Sequence, residues 1–131
     1  MITIVIDEYD AAIKHYVKDL GFALIEDSTL TPDKRWVVVA PSNEGAKILL
    51  AKAASETQKA AIGNSTGGRV GFFMYTTEFS QTYELYKSRG IRFIEEPRQE
   101  AYGRVVVFKD KYGNKWDLIG QHEIDDRRLS Q

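Results

Sequence analysis

Gly103-Arg104-Val105-Val106-Val107-Phe108-Lys109-Asp110-Lys111-Tyr112-Gly113-Asn114-Lys115-Trp116-Asp117-Leu118-Ile119 reads as two strands joined by a tight turn. The β-branched and aromatic residues suit a pleated, half-buried surface, and Asp110, Gly113 and Asn114 supply the turn. The same pattern occurs earlier in the chain. Arg35 precedes Arg104 by 69 residues, and Val37-Val38-Val39 precedes Val106-Val107-Phe108 by the same interval. Gly21 and Gly90 keep that spacing, while Ile48-Leu49-Leu50 stands 68 residues before Trp116-Asp117-Leu118. A repeat that carries several elements at one interval points to duplication of a supersecondary block.

Working outward, Ile2–Ile6 is β-branched and apolar, a strand, and the period then becomes helical from Tyr9 to Leu20. Asp7 or Asp10 can cap that helix, and Gly21 ends it. Strands are predicted near Phe22–Glu26, Arg35–Ala40 and Ala46–Ala51. The second copy repeats the order: a strand Arg69–Tyr75, a helix Phe79–Arg89 stopped by Gly90, and strands Ile91–Glu95, Gly103–Lys109 and Lys115–Ile119. The predicted class is α+β, two tandem βαβββ modules. Module one covers about 1–53, a linker 54–68, module two 69–120 and a polar tail 121–131, all within one domain. One such unit cannot close a core with a single helix, so two copies should form a cupped mixed sheet with helices on the convex face. The concave groove is where a ligand would go.

Composition narrows the function classes. The 131 residues carry 18 basic against 19 acidic side chains, a formal charge of −1 that gives no general attraction to nucleic acid or anionic membranes. There is no cysteine, which excludes disulfides and thiol nucleophiles. The apolar N-terminus meets Asp7-Glu8 at once and reads as a strand, not a leader. A cytoplasmic protein is expected. Gly63-Asn64-Ser65-Thr66-Gly67-Gly68 has the glycines of a phosphate loop but lacks its lysine and leads into a strand, so a linker explains it.

Several segments resemble the vicinal oxygen chelate superfamily of glyoxalases, bleomycin-resistance proteins and extradiol dioxygenases. They are Ile6–Tyr16, Leu20-Gly21-Phe22, Gly68–Phe72 and the closing Phe108–Ile119, in which Lys111 and Asp117 stand where the family usually has proline and glutamate. Metal-dependent members place four ligands on the first, fourth, fifth and eighth strands. Those positions here are Met1, Leu49, Arg69 and Asp117, of which only Asp117 is a plausible ligand. The expectation is therefore no metal site and no cofactor.

Strand alternation proposes what lines the groove. If Arg69 faces it, so do Phe73 and Tyr75, with Asp117 and Ile119 on the last strand and Lys47 and Lys115 nearer the ends. An Arg69–Asp117 pair would then occupy the metal position, either binding an anionic or polar ligand or acting as a salt bridge that merely neutralises the site. Tyr102, in the Pro97–Tyr102 loop, could close over the groove mouth, and Arg104 follows it. His15 reads as a helix-packed or half-exposed histidine in preference to a catalytic base, and His122 falls in the tail. Trp36 and Trp116 read as core or interface. The leading expectation is a small-molecule-binding protein with a groove of Arg69, Phe73, Tyr75, Tyr102, Arg104 and Asp117, working as a homodimer. Two alternatives stay open: a metal-dependent lyase or dioxygenase with a displaced site, and a non-catalytic structural dimer.

Overall fold

A computed structural model describes residues 1–120. The tail from 121 onward, His122 included, lies outside the described residues. Two compact units divide the chain, Met1–Ser65 and Thr66–Gln131.

In the first unit β1 (Ile2–Ile6) leads into α1 (Tyr9–Ile13), and then come β2 (Ala23–Thr31), β3 (Lys34–Ala40) and β4 (Ile48–Lys52). The sheet order is β1-β4-β3-β2, with β1 parallel to β4 and the remaining pairs antiparallel. The helix predicted over Tyr9–Leu20 widens after Ile13 into a π-helical turn, Lys14–Asp19. Leu20 N–H reaches back five residues to the His15 carbonyl at 3.1 Å. Its packed face carries Ala12, Tyr16 and Leu20 against Ile4, Ile6, Val37, Val39 and Leu50, all buried. His15 is buried beside Tyr16 and bonds Asp19 through Nδ1 at 3.1 Å, a packed histidine as its position predicted. Asp10 does not cap α1; its carboxylate accepts from Arg35. The linker holds one short helix, α2 (Glu56–Ala61), capped by Ser55, whose hydroxyl accepts from Gln58 N–H at 3.2 Å.

The second unit repeats the order. β5 (Val70–Thr76), α3 (Phe79–Ser88), β6 (Arg92–Phe93), β7 (Arg98–Glu100), β8 (Gly103–Lys109) and β9 (Lys115–Gly120) follow one another. The sheet runs β5-β9-β8-β6, with β7 also paired to β8 and β5 parallel to β9. Where the first unit has the single nine-residue β2, the second has the two short pieces β6 and β7. Pro97 stands between them; it has no N–H to donate and biases the preceding residue out of regular pairing. The core is an aromatic stack. Trp116 lies between Phe72 at 4.7 Å and Phe108 at 5.9 Å between ring centroids, and Phe108 meets Phe93 and Tyr86 edge-on. Trp116 is therefore core, as its sequence position suggested.

The β8–β9 turn is organised by one side chain. Buried Asp110 accepts from Tyr112 N–H, Asn114 N–H, Asn114 Nδ2 and Trp116 Nε1 at 3.0 Å or slightly more. Gly113 takes φ 99°, the left-handed region that glycine enters without penalty. Gly103 at the start of β8 is bound more tightly, because a Cβ there would collide with the Gly120 carbonyl oxygen.

Candidate functional site

Asp117 sits in mid-β9, paired with Phe73 of β5 on one side and Val107 of β8 on the other. Side chains alternate across a strand, so Trp116 and Leu118 enter the core on the helix side while Asp117 and Ile119 share the opposite face. On β5 the same division puts Phe72 and Met74 inward and leaves Phe73 and Tyr75 beside Asp117. Tyr102, in the turn between β7 and β8, joins them. Phe73, Tyr75, Tyr102, Asp117 and Ile119 line a cavity of about 310 Å³ within the second unit.

The contrast of burial inside this cavity sets its chemistry. Phe73, Tyr75 and Tyr102 are 57%, 60% and 58% exposed, unusually open for large rings, whereas Asp117 is 9% exposed. Asp117 Oδ1 is fully buried and finds no hydrogen-bond partner among the described residues. Burial raises the Asp117 pKa above the ordinary carboxylate value, opposed by the positive charge of Arg98 and reinforced by Glu95. Arg98 itself is engaged: Nε meets Glu95 at 3.2 Å and Nη1 meets Glu100 at 3.0 Å. The Tyr102 hydroxyl is the first cause of its raised pKa. Glu95 also accepts from Val107 N–H at 3.1 Å, which anchors this network to the strand beside Asp117. No motif in the sequence marks Arg98 or Glu95; Pro97 between them is the available signal that the chain turns here.

Two expected site residues stand elsewhere. Arg69 precedes β5, is exposed, and forms no ion pair with Asp117. The register slips by one residue between Val70 and Phe72, so the alternation that would carry Arg69 onto the face of Asp117 fails at Gly71. Arg104 pairs with Gly120 on β9, one step from the Val105–Ile119 pair, and so points to the helix side. There Nη1 donates to Ser80 Oγ at 3.0 Å and Cζ lies 4.7 Å from the Phe79 ring centroid. Phe73, Tyr75, Tyr102 and Asp117 are the expected residues that the fold brings together.

A larger cavity of about 630 Å³ lies in the first unit, bounded by Tyr9, Arg35, Trp36, Leu49, Lys52 and Gln58 among others. Trp36 thus lines a cavity and is not core. Its polar groups are largely committed. Arg35 bonds Asp10 at 2.8 Å and Asp27 at 2.7 Å, lies 5.2 Å over the Tyr9 ring, and has its pKa raised chiefly by Asp27. Lys52 meets Glu8 at 3.4 Å, and Gln58 accepts from Ala54 N–H. No fully buried, unpartnered oxygen lines it as one does in the smaller cavity.

The four positions that the resemblance assigns to metal ligands do not suit a divalent ion. Met1 offers at most a weak thioether, Leu49 has no donor atom, Arg69 is a cation, and Asp117 alone supplies oxygen. Among the described residues no three His, Asp or Glu side chains gather where an ion could be held. No helix among them is long and apolar enough to cross a membrane.

The chain has counterparts in sequence and in fold. An uncharacterized protein of Shewanella frigidimarina (strain NCIMB 400) is 46% identical over 120 residues, spanning 90% of this chain and 89% of its own. The crystal structure of UcmS2 superposes with a TM-score of 0.77 at 28% identity, covering 90% of this chain and 93% of that one. TnmS3, an antibiotic binding protein from Streptomyces sp. CB03234, superposes at 0.72 with 22% identity over 92% and 93%, a likeness of fold. Residues 1–118 match the family model of the Glyoxalase/Bleomycin resistance protein/Dioxygenase superfamily. With its paired βαβββ units and a match over nearly all its described length, the chain belongs to that superfamily.

Proposed function

We propose that this protein binds a small organic molecule in the cavity of the second unit, in the manner of the glyoxalase and bleomycin-resistance type. No divalent ion takes part at the position where metal-dependent relatives coordinate one. Asp117 forms the polar floor, and Phe73, Tyr75 and Tyr102 supply ring surface around it. The observation that carries this reading is the pairing of a buried, unpartnered carboxylate oxygen with three exposed rings in one cavity. Each is costly to leave alone: the oxygen lacks a donor, and the rings hold apolar surface against water. A ligand with an apolar body covers the rings, and a hydrogen-bond donor on it can meet the carboxyl group where Asp117 lines the cavity. The binding activity printed for TnmS3 is consistent with this use of the fold.

The test is a thermal-shift and NMR screen of the whole protein against aromatic diols, electrophilic metabolites and antibiotics. Binders are expected to perturb Phe73, Tyr75, Tyr102 and Asp117 together; binders that consistently perturb other residues would sink the assignment. The lyase or dioxygenase reading needs a metal held by other residues, so stoichiometric nickel, zinc, manganese or iron in purified protein would restore it. The wider proposal is a cytoplasmic homodimer whose two modules are halves of one domain. The cysteine-free composition is compatible with that compartment.

A further inference from the structure

Resting on the site proposed above, we infer that its ligand is a cation: an organic ammonium whose nitrogen sits on Asp117 and whose body lies among Phe73, Tyr75 and Tyr102. Two independent features converge on this class.

The first is the state of the rings. Phe72, Trp116, Phe108 and Phe93 are engaged with one another in the core. Phe73, Tyr75 and Tyr102 make no ring contact among the described residues and are each more than half exposed. An aromatic face is the negative end of a quadrupole and attracts alkylammonium groups, most strongly where water is partly excluded.

The second is the charge balance around Asp117. A carboxylate with one oxygen sealed from water and unbonded must either protonate or find a counter-charge. Arg98 is the nearby cation, and it already serves Glu95 and Glu100. Lys115, two residues before Asp117 on β9, forms no ion pair among the described residues. Asp117 is the one acidic or basic side chain among the described residues that line the cavity. An anion would find no uncommitted guanidinium here, since Arg98 is held by Glu95 and Glu100, Arg69 lies outside the cavity lining and Arg104 is on the opposite face. A cavity of about 310 Å³ is at the small end for ligand sites, which favours a compact amine over an extended polycation.

The experiment compares two probes with one ring system, 1-naphthylmethylamine and 1-naphthalenemethanol, titrated into the full chain at pH 7. Affinity is read from the amide shifts of Phe73, Tyr75, Tyr102 and Asp117. The ammonium is expected to bind about tenfold more tightly than the alcohol, the scale of one charge-assisted hydrogen bond. Asp117→Asn should bring the two within about twofold of each other. Phe73→Leu, at an exposed position that tolerates substitution, should weaken the ammonium by about threefold. Equal affinity of the two probes for the unaltered protein would overturn the inference while leaving the cavity as a small-molecule site. A preference that survives Asp117→Asn would overturn it too, because the charge would then be read elsewhere. If neither probe moves these amides, both the inference and the site on which it rests are wrong.

Discussion

Burial disfavours the charged form of Asp117. Burial raises its folded-state pKa above the value of about 3.9 expected in the unfolded chain. A carboxyl raised in this way favours folding fully below the unfolded pKa, and that contribution is lost as pH rises through the folded one. Asp117→Asn should therefore raise the melting temperature by a few degrees at pH 7, and the gain should vanish near pH 3.5; melts at the two pH values check it. Lower stability of the variant at pH 7 would mean that the carboxylate has a partner in the folded protein. Tyr102→Ala should weaken ligands of the second-unit cavity by about tenfold, whereas Arg104→Ala should leave them within about twofold, because its guanidinium rests on Ser80 and Phe79. Calorimetry with any ligand found by screening distinguishes them.

Elements show where reading by alternation works and where it stops. Phe73, Tyr75, Asp117 and Ile119 share a face because β5 and β9 pair regularly from Phe72 onward, and that regularity is written in their alternating side chains. Arg69 was out of reach of the same count, since a one-residue slip near Gly71 leaves no mark in composition beyond a glycine. Arg104 was misplaced for a different reason: its facing depends on which residue of β9 it meets, and a single strand does not say that. The helix over Tyr9–Leu20 was legible from its apolar stripe and Gly21, but its widening to a π turn follows from packing around His15 and Tyr16 and has no local signature. The β8–β9 turn was legible because Asp110, Gly113 and Asn114 each do what their chemistry prescribes. Asp110→Ala removes the acceptor shared by Tyr112, Asn114 and Trp116 and should cost about 3 kcal/mol in urea unfolding. Gly103→Ala should cost at least about 2 kcal/mol in the same assay, since the added methyl has nowhere to go beside the Gly120 carbonyl. An unchanged midpoint in either variant would mean that these tight junctions relax freely.

For the molecule as a whole, the duplication was the most legible feature, because an interval of 68 to 69 residues recurs in glycines, arginines and strand cores alike. The two copies have since parted company. The first keeps a continuous β2 and ties its charges into Arg35, Asp10 and Asp27, while the second breaks the equivalent strand at Pro97 and leaves Asp117 unsatisfied. If no divalent ion supports the fold, prolonged dialysis against a chelator should leave the melting temperature unchanged within a degree; a drop restored by added metal would reverse the metal-free reading. Consecutive residues of β5 have opposite duties, Phe72 being clamped against Trp116 while Phe73 stands open to solvent. Selection can therefore rewrite positions 73 and 75 with little loss of folding strength. Lineages sharing this scaffold are free to change their chemical tastes quickly, and overall sequence similarity will be a poor guide to what each one captures.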